Sequence, residues 1–173
     1  MRVMLGVTGS VAVYKAAELV RLFVKHGDEV RVVMTLAATE FMRPLTFQTL
    51  SRNQVHVDQF ATPTEWKPGH IALSDCDVAV VAPATANTLA KMRWGIADNL
   101  LTATLLATRA PIVVAPAMNT GMWEAAATQD NIASLMARGV RVAAPGDGEL
   151  ACGVSGTGRM AEPREIFNMV TGK

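Results

Sequence analysis

Three kinds of side chain in this sequence have the chemistry expected of an active site: a thiol, two amides and a histidine. Cys152 stands in a glycine-rich stretch, where a thiol is poorly placed for a core residue and could donate a proton beneath a closing loop. Asn87 and Asn119 each follow an apolar run, and an asparagine can bind a carboxylate without adding charge. By position alone, His70 is more often a helix-start or surface residue than a catalyst.

A glycine-containing turn, Gly6-Val7-Thr8-Gly9-Ser10, ends the first apolar run and leads into a helical pattern. Such a turn offers backbone N–H groups and the positive end of a helix, both of which suit a phosphate. The GxGxxG dinucleotide fingerprint is absent, and the second apolar run ends at Met34-Thr35 with no acidic residue for a ribose hydroxyl. A mononucleotide therefore fits better than NAD, while a tight turn with Ser10 as the helix cap stays open.

Two further segments of small residues follow apolar runs. In the segment 82–87, small side chains let a planar ring approach the backbone, and Thr85 and Asn87 offer hydrogen bonds to its polar edge. A proline turn capped by Thr85 or Asn87 is an equally good interpretation. Asn119 ends the segment 116–119, one strand further on, so its amide and that of Asn87 could project into one crevice. The segment 95–101 could cap the next helix or face the ligand.

These segments depend on an alternation of strands and helices. Short apolar, β-branched runs predict strands over residues 3–7, 29–34, 77–82 and 111–115, with a weaker fifth over 140–143. Helical spacing predicts helices over 12–26, 88–94, 99–108, 124–138 and 163–170, and the segments 52–69 and 146–160 are predicted to be loops. The alternation predicts one domain, residues 1–173, with a three-layer αβα sandwich around a mostly parallel, Rossmann-like sheet. Its ligand site is expected beyond the carboxyl ends of the strands.

Composition narrows the class of protein. Of 173 residues, 50% are hydrophobic and 18% charged, which excludes disorder, and 16 basic against 15 acidic residues with no basic block argue against nucleic-acid binding. Two cysteines make no disulfide framework and fit a reducing cytoplasm, with Cys76 expected to be a buried structural thiol. No apolar run approaches the roughly 18 residues of a membrane span. No cluster of His, Cys and carboxylate residues indicates a metal site.

Five segments together give the sequence a resemblance to a known family. GVTGSVAVYKAAELVR, HIALSDCD, APATANTLAKM with GIADNLLT, APAMNTGMW and ELACGVSGTGRMAEP occur in the order and spacing of the homo-oligomeric flavin-containing cysteine decarboxylases. The resemblance covers essentially the whole chain and is greatest to the phosphopantothenoylcysteine decarboxylases of coenzyme A biosynthesis.

The resemblance implies FMN as cofactor and assigns roles to individual residues. The FMN phosphate and ribityl chain would be bound by Gly9, Ser10, Val11 and Thr35, and the ring by Pro83, Ala84, Thr85, Ala86, Asn87 and Pro116. The catalytic residues would be His70, Asn119, which binds the substrate carboxylate, and Cys152, the proton donor. Substrate contacts would come from Asn119, Met122, Ala151, Gly158, Arg159 and Met160.

The implied reaction converts 4′-phosphopantothenoylcysteine to 4′-phosphopantetheine. Loss of carbon dioxide would leave a carbanion with nowhere to delocalise, so FMN is needed to oxidise the cysteinyl group to a thioaldehyde first. Decarboxylation would then give an enethiolate, to which Cys152 would deliver a proton while reduced FMN returns the hydride, so the overall reaction has no net redox change. The resemblance also implies a cytoplasmic homo-oligomer, a trimer or a multiple of trimers such as a dodecamer, with the histidine approaching from a neighbouring chain. The many Ala, Val, Leu and Met residues beside only 5% aromatic residues fit such self-association.

Other functions stay open at this point. Relatives that oxidatively decarboxylate peptides ending in cysteine lack the thiol, so Cys152 favours the coenzyme A reaction. Flavin-binding regulatory subunits without catalytic activity carry long acidic tails, which this sequence does not contain. A flavodoxin-like electron carrier would be strongly acidic and would flank its flavin with aromatic side chains. Many bacterial members are fused to a phosphopantothenate-cysteine ligase, and the resemblance here covers the decarboxylase part.

Overall fold

The computed structural model describes residues 1–61, 66–149 and 155–173. The strands in these residues are β1 (Arg2–Val7), β2 (Glu29–Met34), β3 (Val78–Ala84), β4 (Ile112–Pro116), β5 (Arg141–Val142), β6 (Gly146–Glu149) and β7 (Ser155–Arg159). The helices are α1 (Val13–His26), α2 (Leu36–Thr39), α3 (Pro44–Ser51), α4 (Gly69–Ser74), α5 (Ala86–Trp94), α6 (Leu100–Ala107), α7 (Thr120–Glu124), α8 (Ala126–Ala137) and α9 (Pro163–Thr171).

Five strands form one parallel sheet in the order β2-β1-β3-β4-β5. After β2 the chain crosses back over β1 to add β3, so the direction of winding reverses between β1 and β3. Loops that leave neighbouring strands in opposite directions open a crevice at such a point, and ligands of doubly wound sheets bind there. The predicted three-layer sandwich with a mostly parallel sheet is confirmed.

Alternating side chains of the sheet feed two hydrophobic cores, one on each face. In β1, Val3 and Leu5 point into one core while Met4 points into the other. Helices α1, α3 and α9 cover the first face, and α4, α5, α6 and α8 cover the second. Because the strands are buried on both faces, they are continuously apolar, which is why their positions could be predicted.

Helix α1 follows its predicted pattern closely. Its stripe of Ala16, Leu19, Val20 and Phe23 is buried, and the helix ends at Gly27 in a left-handed conformation. The ring of Phe23 packs against Phe167 of α9 with centroids 5.3 Å apart. Helix α1, which follows β1 in the chain, therefore packs against the last helix, α9.

The structure corrects several predicted elements. The predicted loop 146–160 contains an antiparallel hairpin of β6 and β7. The helix predicted over 124–138 corresponds to α8, whereas α2, α3 and α7 lie where no helix was predicted. Strand β3, predicted to end at residue 82, continues through Pro83 and Ala84, and α5, predicted to begin at residue 88, begins at Ala86. In the described ranges no helix has the length and apolar character needed to cross a membrane.

A threonine links the two strands that flank the crevice. Thr8, which follows β1 and is 1% exposed, donates its hydroxyl hydrogen to the carbonyl oxygen of Pro83 at 2.7 Å. The same hydroxyl oxygen accepts the backbone N–H of Thr85 at 3.0 Å. One side chain therefore satisfies both a donor and an acceptor of the neighbouring strand end and fixes the spacing of the two loops.

We expect Thr8→Val to destabilise the fold. Valine has the same shape, but it leaves the Pro83 carbonyl and the Thr85 N–H without their partner, and an unsatisfied buried group costs about 1–3 kcal/mol. The free energy of unfolding, measured with urea, should fall by that amount. Thr49→Val is the matched control, because the Thr49 hydroxyl is exposed and donates only to Leu45 within α3; it should change the free energy by no more than about 0.5 kcal/mol. Equal losses in both variants would contradict this role of Thr8.

Candidate functional site

A pocket of about 780 Å³ lies at the reversal point between β1 and β3. Six of its lining residues are predicted site residues: Gly9, Thr35, Thr85, Ala86, Asn87 and Met122. The rest of the lining comes from Thr8, Leu36, Ala37, Val57, Asp58, Gln59, Phe60, Thr88, Lys91, Asp98, Asn99 and Leu100. The volume lies within the range of about 300–1,000 Å³ that is usual for small-molecule and cofactor sites.

The turn after β1 forms one wall of the pocket. A Cβ on Gly9 would lie 2.6 Å from the Cβ of Ala37, so only glycine lets this turn pack against α2. The hydroxyl of Ser10 accepts the N–H of Ala12 at 3.3 Å, and α1 begins at Val13 with no side-chain cap and no acidic residue in its first turn. Ser10 is therefore not the cap of α1, and the positive helix end stands beside the turn without a counter-charge from that helix.

Two threonines at strand ends cap the short helices around the pocket. The Thr35 side chain accepts the N–H of Ala38 in α2, and the Thr85 side chain accepts the N–H of Thr88 in α5. Thr85 is thus the cap of α5, which resolves the choice between Thr85 and Asn87. Asn87 lies in the first turn of α5, exposed at the pocket wall.

Pro83 and Ala84 lie deeper than the sequence suggested. Both are buried at the end of β3, and the peptide bond between Ala82 and Pro83 is cis. Ala84 pairs with Pro116 of β4, and the N–H of Ala117 donates to the Ala84 carbonyl oxygen at 3.1 Å. Pro83 and Ala84 are not among the residues that line the pocket, but their backbone positions Thr85 and the turn after β4.

The two asparagines leave the sheet from neighbouring strand ends. Asn87 and Asn119 each stand three residues beyond the paired residues Ala84 and Pro116. Asn119 is exposed at the start of α7, where its Oδ1 accepts the N–H of Gly121 at 2.8 Å. Met122 of the same helix lines the pocket, whereas Pro116 and Asn119 are not among its lining residues.

The predicted substrate residues of the hairpin fall into different environments. Gly158 has φ +147°, and a Cβ there would overlap the carbonyl oxygen of Met118, whose N–H donates to the Gly158 carbonyl at 3.0 Å. Arg159 is about half exposed and forms an ion pair with Glu162 at 3.2 Å. Met160 is 2% exposed and its side chain is buried in the hydrophobic core that α1, α3 and α9 cover.

His70 lies apart from the main pocket. It is the second residue of α4, half-buried, and it does not line the pocket that contains Gly9 and Thr85. The adjacent Gly69 lines a second pocket of about 300 Å³ with His56 and Arg31. Burial lowers the pKa of the His56 imidazole, and the nearby Arg31 guanidinium lowers it further.

Of the two cysteines, Cys76 lies in the described part of the chain and Cys152 does not. Cys152 and the predicted substrate residue Ala151 lie outside the described residues. Cys76 is half-buried rather than fully buried, with its Sγ 3.7 Å from the Thr108 hydroxyl. Burial raises the pKa of the Cys76 thiol, which keeps it protonated and fits a structural role. Within the described ranges, no three His, Cys, Asp or Glu side chains are grouped as metal ligands.

Sequence reasoning missed several residues of the pocket, among them Lys91. Lys91 forms an ion pair at 2.6 Å on the pocket wall with Asp98, which belongs to the segment 95–101 that was expected to cap a helix or face the ligand, and the Lys91 hydrogen bond lowers the pKa of the Asp98 carboxyl. Asn99, which was predicted either to cap a helix or to face the ligand, caps α6 and also lines the pocket. Phe60 could not be assigned because no predicted strand or motif precedes it, and Leu36, although it follows β2, was not assigned because an apolar side chain there carries no chemical signal.

Comparisons with known proteins agree with this geometry. The family model described as Flavoprotein matches residues 1–173. The coenzyme A biosynthesis bifunctional protein CoaBC of Haemophilus influenzae is 44% identical over 170 residues, which are 98% of this chain and 42% of that protein. The chain therefore spans about two fifths of the length of the curated relatives it matches.

Two solved structures are similar over nearly their whole length. One is a cysteine-to-serine mutant of PPC decarboxylase complexed with pantothenoylaminoethenethiol. It has a TM-score of 0.88 at 36% identity, and the match covers 98% of this chain and 96% of the PPC decarboxylase chain. The FMN-dependent cysteine decarboxylase SpaF has a TM-score of 0.82 at 30% identity, with coverage of 98% and 97%. With its parallel sheet, its crevice at the reversal point and a family match along its whole length, the chain belongs to the flavoprotein family.

Proposed function

We propose that this chain is an FMN-dependent decarboxylase that converts 4′-phosphopantothenoylcysteine to 4′-phosphopantetheine in coenzyme A biosynthesis. The observation that carries the proposal is the pocket at the reversal point, because six residues assigned to cofactor or substrate line it together. The likeness to PPC decarboxylase and to CoaBC supports this substrate and this lyase activity.

The residues of the pocket fit FMN. Gly9 lets the turn after β1 approach closely, and the uncapped start of α1 offers a positive end for the phosphate. Ser10, Val11 and Thr35 would complete the binding of the phosphate and ribityl chain. The wall formed by Thr85, Ala86 and Asn87 would hold the ring, because small side chains and an amide suit a flat ring with a polar edge.

Each catalytic group has a defined task. FMN, when bound, supplies the electron sink that decarboxylation of a cysteinyl carboxylate requires. Asn119 would bind the carboxylate through its amide NH₂ group, and the hydrogen bond from Gly121 to Oδ1 fixes the orientation of that amide. Cys152 would deliver the proton that completes the product. Gly158 and Arg159 end the hairpin that lies against the turn carrying Asn119, and Met160 follows directly, so all three would contribute to the substrate side.

The active unit is proposed to be a cytoplasmic homo-oligomer in which residues 1–173 form one domain. Large apolar side chains are exposed on the described surface, among them Leu36 (75%), Leu45 (67%) and Trp94 (69%). Burial of such side chains against further copies would stabilise a trimer or a multiple of trimers. His70 would then act in the pocket of a neighbouring chain, which agrees with its position away from the pocket of its own chain.

The purified protein should be yellow with FMN and should release carbon dioxide from 4′-phosphopantothenoylcysteine. The expected second product is 4′-phosphopantetheine, because reduction returns the electrons that oxidation removed. Mass spectrometry of the products and absorbance of the released chromophore check both points. FMN-loaded protein that yields neither product would contradict the proposed function and favour a non-catalytic flavin-binding subunit.

Cys152→Ser should still bind FMN and release carbon dioxide but accumulate an oxidised enethiol. Serine is too weak an acid to replace the thiol as proton donor at neutral pH. The ligand of the mutant PPC decarboxylase supports this expectation, because its name describes a pantothenoyl amide of an ethenethiol. Cys76→Ser is the control and should give normal product. Normal phosphopantetheine from Cys152→Ser would remove Cys152 from this role.

The likeness to SpaF supports a second candidate, oxidative decarboxylation of peptides that end in cysteine. The two reactions differ in their final state, because the peptide reaction stops at the enethiol. A peptide that loses carbon dioxide and two hydrogens, with no turnover of the pantothenate substrate, would favour this second function.

Complementation tests whether His70 acts in a neighbouring chain. We expect His70→Asn and Asn119→Asp to be inactive separately and to regain about a quarter of wild-type activity when co-expressed, because random assembly pairs two intact halves in that share of sites. The control places both substitutions on one chain, co-expressed with chains that carry His70→Asn alone; no intact pair can form there. No recovery in the first mixture would show that each chain uses its own His70.

A further inference from the structure

A lysine is buried at the base of the hairpin. Lys15 lies in the first turn of α1 and is 3% exposed, although lysine is seldom buried without partners. Its Nζ donates to the carbonyl oxygen of Met160 at 2.8 Å and to Oε1 of Glu162 at 2.9 Å. These acceptors compensate the cost of removing the ammonium from water.

Both acceptors of Lys15 lie within three residues of the end of β7. Arg159 is the last residue of β7, Met160 comes next, and Glu162 caps the start of α9. Glu162 also pairs with Arg159 through the same Oε1 atom. The hydrogen bond from Lys15 lowers the pKa of the Glu162 carboxyl, and the charges of Lys15 and Arg159 lower it further, so Glu162 stays ionised between its two cations.

Strand β7 is also bonded to the turn after β4. The N–H of Met118, the residue before Asn119, donates to the Gly158 carbonyl at 3.0 Å. The end of β7 is therefore held at two neighbouring points, by Met118 of the turn after β4 and by Lys15 of α1. A displacement at either point moves Arg159 and the turn of Asn119 relative to each other.

We propose that Lys15 is a positioning residue for the substrate side of the site. Through its bonds to Met160 and Glu162, Lys15 fixes the end of β7, including Arg159, to helix α1. Helix α1 begins after the turn that contains Gly9, where the FMN phosphate is proposed to bind. The role of Lys15 in binding substrate rests on the proposed function, whereas its hold on the hairpin does not. Lys15 acts through its acceptors and is not a catalytic residue.

Global stability alone would not test this role. Apolar replacement of a buried charge can leave stability unchanged or even raise it, since the desolvation cost of the charge disappears. The informative quantities are the local opening of β7 and the separation of KM from kcat. Lys15→Met retains the unbranched stem and removes the ammonium. Lys25→Met makes the same change at an exposed position of the same helix and is the matched control.

Hydrogen exchange of the FMN-loaded protein measures the local effect. In Lys15→Met, peptides covering 155–161 should exchange about tenfold to a hundredfold faster, the range expected when a hydrogen bond to a charged group is lost. Peptides from β1 and β3 should stay within about twofold of wild type, and Lys25→Met should change neither region. Unchanged exchange over 155–161, or equal acceleration throughout the sheet, would overturn the proposal.

Kinetics with 4′-phosphopantothenoylcysteine measure the functional effect. A misplaced β7 removes substrate contacts that persist in the transition state, so KM should rise about tenfold while kcat changes less than about threefold and FMN affinity less than about twofold. Glu162→Gln retains a cap oxygen and the Lys15–Met160 bond, so it should shift KM and exchange in the same direction by less. If Lys15→Met does not fold, Glu162→Gln carries the test, and wild-type values from it would contradict the proposal. Inactive wild-type protein would defeat the proposed function but leave the exchange result meaningful.

Discussion

The bridge made by the Thr8 hydroxyl is the interaction on which the site depends. It joins the ends of β1 and β3 where the winding of the sheet reverses, and it satisfies the Pro83 carbonyl and the Thr85 N–H together. The paired residues of these two strands end at Gly6 and Val81, so the Thr8 hydroxyl extends the connection between the strands beyond their ladder. One buried side chain therefore helps to set the distance between the two loops that line the pocket.

Several elements meet at this crevice through contacts that leave no room for a side chain. Gly9 packs on Ala37 in the turn after β1, and Gly158 packs on the Met118 carbonyl in the turn after β4. Both glycines are explained by steric fit, whatever ligand binds. Their presence supports a site whose backbone positions are set before any ligand arrives, which lowers the entropy that binding must offset.

Sequence alone predicted the sheet, α1 and the segments at the carboxyl ends of the strands, because buried parallel strands and an amphipathic helix have strong periodic patterns. It did not predict the β6–β7 hairpin, whose glycines carry no alternating apolar pattern. The burial of Lys15 was also missed, although its spacing of four from Leu19 places a charge on an apolar stripe. Such a mismatch with the pattern is a sequence signal for a buried, bonded charge. Thr8 gave a weaker signal, since a threonine at a strand end is common.

The charge distribution limits how the chain can attract an anionic ligand. The formal charge of the chain is +1, so its overall field is weak. Arg159 is already paired with Glu162, and Lys91 with Asp98 on the pocket wall, so neither cation offers a full uncompensated charge. The start of α1 has neither a side-chain cap nor an acidic residue in its first turn. Backbone N–H groups at this helix end are therefore better placed than paired side-chain cations to bind a phosphate. Selectivity would then arise from fixed geometry rather than from long-range attraction.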